Sequence, residues 1–171
     1  MCYSFHREND VELKGEYMSL VSVFIAVHIL SAVVWVGGMF FAYVCLRPAA
    51  ASVLEPAQRL SLWVGVFSRF FPWVWMAVIL LPLSGYLMLF TLWQSMYAAP
   101  GYIHIMNGLG FLMIFIFAHV YFALFKKLKR AVSNEDWPAG AEMLAKVRKL
   151  VAMNLVLGLL VVMIASSGRY L

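Results

Sequence analysis

Four long apolar runs constrain this chain more than any other feature of its sequence. They span roughly Leu20–Leu46, Phe70–Trp93, Ile103–Phe125 and Leu150–Ile164. A helix needs about 20 apolar residues to cross a hydrocarbon core of about 30 Å, and the fourth run reaches that length if Ala165–Tyr170 continues it. The runs are continuously apolar and lack the alternation of barrel strands. The sequence therefore predicts an all-α membrane protein with four transmembrane helices.

The connections between the runs are short, which favours an up-down-up-down bundle whose cofactors or metals sit between facing helices. With 64% hydrophobic and 12% charged residues, the chain is not composed like a water-soluble domain. We assign residues 18–171 to one transmembrane domain, in which Pro48 ends the first helix and Pro56–Ser68 runs along the inner surface. Residues 1–17 form a polar arm without the order of a signal peptide, and Met18 is an alternative start.

The charged residues lie between the apolar runs and indicate the orientation. Segment 126–149 contains seven basic and three acidic residues, and segment 47–69 contains three basic and one acidic. The positive-inside rule places both segments in the cytoplasm and both termini outside a bacterial-type inner membrane. The formal net charge of +5 is then a topology signal. No soluble basic face points to nucleic acid, and the sequence leaves the oligomeric state open.

Two histidines are expected to share a layer near the outer face. His28 lies 18 residues from Leu46, and His104 lies 22 residues from Lys126. At 1.5 Å per residue, both are roughly 27–33 Å from the cytoplasmic ends of their helices. Because polar side chains inside a membrane are costly, each is a functional hypothesis, and together they could ligate one cofactor. A histidine near the end of a span can also be an interfacial residue.

Other residues of this outer layer agree with a large planar ligand such as haem b. Small residues at Ser84–Gly85 and Ser166–Gly168 remove bulk there, and Arg169 could pair with a propionate. Trp35 lies seven residues after His28, on nearly the same helical face. Two imidazoles on one haem iron would give a six-coordinate centre suited to electron transfer.

A soft-metal site is the alternative for the same layer. Met96, Met106 and His104 cluster around the outer loop, and thioether with imidazole suits copper(I). Together with His28 they would form an outer entry site for copper. Candidates for further ligands along a path are Met39, Cys45 and Met113.

A second pair of polar residues lies in the inner half. His119 precedes Lys126 by seven residues, and Asn154 follows Lys149 by five, so antiparallel helices bring the pair to similar depth. We expect a structural hydrogen bond between His119 and Asn154. His119 lies about 22 Å along the helix axis from His104, so these two histidines cannot ligate one metal.

The pattern His28-x6-Trp35-x-Gly37-Gly38 resembles the opening helix of the CopD-like membrane proteins and of the related HemJ-type protoporphyrinogen oxidases. This resemblance implies a small helical membrane protein, linked in the CopD-like branch to copper handling and in the HemJ-like branch to haem b and porphyrin oxidation. The likeness continues over nearly all of residues 18–171, through the stretches RLSLWVGVFSRFFPWVWMAVILLPLSGYLML, GYIHIMNGLGFLMIFIFAHVYFALFKKLKR and VRKLVAMNLVLGLL.

Two positions depart from the HemJ-like pattern. Met106 stands where those proteins carry a lysine, and Leu155 and Val156 follow Asn154 where they carry an acidic residue and a proline. The resemblance therefore favours the CopD-like branch, with haem b or copper in the outer layer and a role in membrane redox or copper homeostasis. Its partners would be a redox protein or a periplasmic copper protein. Copper uptake without haem and protoporphyrinogen oxidation are the alternatives.

Overall fold

Hydrocarbon offers the backbone no hydrogen-bond partners, so a chain this apolar satisfies its N–H and C=O groups within helices. A computed structural model describes residues 18–168, and that part of the chain contains helices and no strand. The predicted arm at 1–17 and Arg169 lie outside the described residues. The predicted all-α fold with four spans is confirmed by helices α1 (Met18–Val53), α2 (Pro56–Trp93), α3 (Gly101–Ser133) and α4 (Trp137–Ser167), each long and apolar enough to cross a membrane.

Within residues 18–168, the bundle has one basic end and one end without charged side chains, which we call the uncharged end. The basic end carries the α1–α2 and α3–α4 connections, with the cationic segments 47–59 and 126–149. The uncharged end carries the α2–α3 connection, in which Ser95 accepts a hydrogen bond from Ala98 and caps a short 3-10 helix at Met96–Ala98. α1 packs against α2 and α4, and α3 packs along α4.

Helix α1 contains two wide turns of π type, at Val33–Gly37 and at Phe41–Leu46. The sequence predicts that Pro48 ends this helix, but α1 continues to Val53. Pro48 stands in the first turn of the regular segment Arg47–Val53, directly after the second wide turn. In the wide turn before it, the backbone N–H of Arg47 donates to the carbonyl oxygen of Ala42 five residues back, and this looser bonding lets the helix continue past a residue without an N–H. The prediction of a helix end at Pro48 is therefore wrong.

Helix α2 also differs from its predicted form. It runs without a break from Pro56 to Trp93, so Pro56–Ser68 is the first part of this helix and not a separate surface segment. Pro72 and Pro82 both lie inside it. Prolines are tolerated inside transmembrane helices because neighbouring groups can satisfy the freed carbonyls.

An aromatic cluster centred on Phe71 holds α2 against α3 in the basic half. Phe71 is 4% exposed. Its ring stacks on Phe67 at 5.1 Å and meets three α3 rings edge-on, Phe117 at 5.5 Å, Tyr121 at 5.8 Å and Phe125 at 4.9 Å. Such edge-to-face pairs are favourable beyond their buried area. Contacts between α2 and α3 concentrate here, and the two helices separate toward the uncharged end.

We expect Phe71→Ala to lower the free energy of unfolding by about 3 kcal/mol, because it removes the shared partner of four rings and leaves a cavity. Denaturation in mild detergent, followed by circular dichroism, measures this loss. Trp73→Ala is the matched control, since Trp73 is 58% exposed on the same helix. Equal losses in both variants would show that the cluster does not fix the α2–α3 contact.

Candidate metal site

A cavity of about 450 Å³ lies near the uncharged end, where α2 and α3 separate. His28 of α1 lines it, and all four helices contribute to its wall. We call it the His28 cavity. Ligand sites in proteins commonly occupy about 300–1,000 Å³, so this space can hold a small ligand or a metal ion with its protein ligands.

A hydrogen bond holds His28 and selects its tautomer. Nδ1 of His28 lies 3.0 Å from Oγ of Ser84, and the same hydroxyl lies 2.6 Å from the carbonyl oxygen of Leu80. A serine hydroxyl has one proton to donate. That proton goes to the helix backbone, where the carbonyl oxygens of Leu80 and Leu81 lie 2.6 and 3.3 Å away, so the hydroxyl accepts from Nδ1–H of His28. Nε2 has no hydrogen-bond partner among the described residues, and its lone pair is available for a ligand.

The small residues of this layer make room for protein side chains. A Cβ on Gly85 would lie 3.2 Å from Cε1 of His28, so this glycine gives space to the imidazole itself. A Cβ on Gly168 would lie 2.6 Å from Cγ of Tyr102. The sequence predicts that Ser84–Gly85 and Ser166–Gly168 make room for a planar ligand. In the structure, the glycines of these two pieces make room for the side chains of His28 and Tyr102 instead.

Four methionines line the His28 cavity, Met88 on α2, Met96 in the short connection, and Met106 and Met113 on α3. Within residues 18–168, no three His, Cys, Asp or Glu side chains converge on one point, so a metal here would depend on thioethers. Thioether and imidazole are neutral ligands that suit copper(I). Burial of charge away from water is costly, which favours a monovalent over a divalent cation.

His104 does not reach the His28 cavity. It is exposed on α3, whereas Ile103, Met106 and Asn107 of the same helix line the cavity. Successive residues rotate by about 100° around a helix, so His104 and Met106 point about 200° apart. The structure therefore does not bring His28 and His104 together in one site, and Met106 joins His28 without His104.

His119 and Asn154 are not brought together either. Asn154 is 3% exposed, its Nδ2 lies 3.8 Å from Sδ of Met39, and its Oδ1 has no hydrogen-bond partner among the described residues. His119 is exposed on α3. The predicted hydrogen bond between the two is not formed. Asn154 instead lines a second cavity of about 250 Å³, the Asn154 cavity, and Trp35 lines both cavities.

One polar pair of the His28 cavity was not predicted from the sequence. The hydroxyl of Tyr86 donates to Oδ1 of Asn107 at 3.1 Å and bridges α2 and α3 where they separate. The available sequence signal was Asn107 itself, because an amide inside an apolar run needs a partner. Met88 was also missed, although it lies one turn after Ser84 on the same helical face.

Comparison with known families agrees with this architecture. The family model described as Copper resistance protein D matches residues 64–167, which is more than half of the chain. The chain belongs to the copper resistance protein D family. Ser84 and all four cavity methionines lie inside the matched region, and His28 precedes it. No curated protein and no solved structure matches this copper resistance protein D family member.

We expect Gly85→Ala to displace the imidazole of His28 and to lower the free energy of unfolding by about 1 kcal/mol, because the added methyl group crowds the ring. The ring nitrogen signals of His28 in ¹⁵N NMR, assigned with His28→Gln, report the displacement. Gly110→Ala is the matched control, since Gly110 lines the same cavity with nothing within 4 Å of its Cβ position. Unchanged His28 signals in Gly85→Ala would contradict this geometry.

Proposed function

We propose that this copper resistance protein D family member binds copper(I) in the His28 cavity and passes it along the bundle as its cargo. The observation that supports this most is the 3.0 Å contact between Nδ1 of His28 and Oγ of Ser84. The Nδ1 of His28 is occupied by Ser84, and its Nε2 is free in a helix that lines a cavity with four thioethers. One imidazole with several soft ligands is a donor set for copper(I).

The thioethers also suit a transfer site better than a storage site. Neutral thioethers bind without proton release and are weaker ligands than thiolates, so they can exchange. The positive-inside rule puts the uncharged end outside, where a periplasmic copper protein would deliver the ion. Met96 in the connection and Met106 on α3 would receive it, and His28 would be its strongest ligand.

From the His28 cavity, the ion would next move into the Asn154 cavity. Met113 lines the His28 cavity, Met39 lines the Asn154 cavity, and Trp35 lies in the wall of both. Trp35 is 3% exposed and packs edge-on against Phe117 at 6.1 Å. A rotation of this indole would join the two cavities. Cys45 is exposed and lines neither, so it has no part in this path.

Haem b held by His28 is a second candidate. Gly110 lines the His28 cavity with nothing within 4 Å of its Cβ position, which leaves space beside α3 for a porphyrin face. Because His104 points away, the second axial ligand would be a thioether, with Met106 across the cavity on α3. Imidazole with thioether is a known ligand pair for haem iron, and such a haem would supply one-electron chemistry. Arg169, predicted to pair with a propionate, lies outside the described residues.

A copper(I) titration tests the proposed function. The purified protein competes with a chromogenic copper(I) chelator under reducing conditions, and its absorption spectrum is recorded before and after dithionite. We expect one copper ion to bind, and we expect His28→Ala to abolish binding. Ser84→Ala should weaken it by about 10-fold, because it removes the partner that orients the imidazole.

His104→Ala and Met153→Leu are the matched controls, since His104 is exposed outside the cavity and Met153 is 46% exposed. Both should bind copper(I) like the wild type, whereas Met106→Leu should bind it more weakly. A Soret band that is lost in His28→Ala and kept in His104→Ala would favour haem b instead. Copper binding that survives His28→Ala would refute the proposed site.

A further inference from the structure

Three arginines converge at the basic end from three different helices. Arg47 ends the first apolar run on α1, Arg59 lies in the first turns of α2, and Arg148 lies on α4, two residues before the fourth apolar run. Leu46, next to Arg47, lines one cavity with Leu150 of α4, and Leu60, next to Arg59, packs against Gly140 of α4. Arg148 is partly buried, and its Nε is fully buried without a hydrogen-bond partner among the described residues.

Three of the four described carboxylates at this end are engaged elsewhere, and the fourth, Glu135, is exposed. Glu55 caps its own helix, where its side chain accepts from the backbone of Gln58. Asp136 caps α4 by accepting from the backbone N–H of Ala139 at 3.1 Å. Glu142 pairs with Lys146 at 2.7 Å. No described carboxylate lies within salt-bridge distance of any of the three arginines.

Three guanidinium groups without a counter-charge repel one another, and a buried guanidinium donor without an acceptor is costly. An oxyanion would remove both costs, because guanidinium groups bind phosphate through paired N–H donors. Arg47 and Arg148 lie where apolar runs meet the basic segments, which is the level of lipid headgroups. Leu46, next to Arg47, and Leu150, two residues after Arg148, line the Asn154 cavity and offer an apolar surface to an acyl chain.

We propose that Arg47, Arg59 and Arg148 form a binding site for the phosphodiester headgroup of an anionic phospholipid. The Arg148 side chain turns its Nε–H from the protein interior onto the phosphate, Arg59 neutralises the anion from α2, and Arg47 closes the site from α1. Arg47 is also held over the ring of Tyr43, 5.0 Å from the ring centroid, which restricts its position. The bound lipid ties together three helices at the end opposite the His28 cavity. Basic pockets between transmembrane helices are known settings for such headgroups.

Thermal unfolding of the delipidated full chain in a non-ionic detergent tests this site. The additives are phosphatidylglycerol, phosphatidylcholine with the same acyl chains, and inorganic phosphate. We expect saturating phosphatidylglycerol to raise Tm by about 5 °C and the other two to leave it unchanged. In Arg148→Gln the shift should be lost, with Tm in the absence of lipid equal to or above that of the wild type, because the repulsion is relieved.

Lys149→Gln is the matched control, because it removes the same charge from the neighbouring, exposed position. It should keep the full shift, and Arg59→Gln provides a second loss of the site if Arg148→Gln folds poorly. Arg148→Lys keeps the charge but not the paired donors, so its shift should be reduced. An equal loss in Lys149→Gln would overturn the proposal in favour of diffuse charge attraction. Equal stabilisation by inorganic phosphate would overturn it in favour of a free anion.

Discussion

The absence of hydrogen-bond partners in hydrocarbon is the constraint on which this structure depends. It forces the backbone into four continuous helices, and it requires each polar side chain inside them to find a neighbour or a ligand. The single proton of Ser84 shows how strictly this applies. Because the helix backbone takes that proton, Ser84 can only accept from His28, and one imidazole nitrogen is left free. The chemistry available to the His28 cavity follows from this one proton.

Depth along a helix could be predicted from the sequence, but direction around a helix could not. Counting residues from the charged segments placed His28 and His104 at the same end of the bundle, as the structure does. The faces of α3 carried no information, because that run is apolar on nearly every side and has no polar stripe to orient it. Only packing against α4 and the Phe71 cluster decides that Met106 faces inward and His104 outward. For the same reason, the sequence could not show that His119 faces away from Asn154.

The number of spans and their helical type could be predicted in full from the number, the length and the continuous apolar character of the runs. What lies beyond the runs could not. The helices continue beyond the apolar runs into the basic end, because charged residues end the apolar pattern without ending the helix. The separation of α2 and α3 also left no trace in the sequence, since it results from aromatic packing in one half only. The cavity therefore lies where a site is expected, and its lining includes His28 and the thioethers of Met96 and Met106 but not His104.

The wide turn at Val33–Gly37 fixes how the part of α1 before it, which carries His28, is rotated relative to the part after it, which carries Met39. A π turn holds one residue more than an α turn, so the residues on either side of it are rotated relative to a regular helix. Five residues in this wide turn cover about the same rotation as four residues in a regular turn. Loss of one residue here would therefore close the turn and leave His28 and Met39 on their present faces. The same loss in the regular part of the helix between them would rotate His28 by about 100° relative to Met39 and turn it away from the cavity. The wide turn is thus a place in α1 where a relative could differ in length and still keep the cavity ligand.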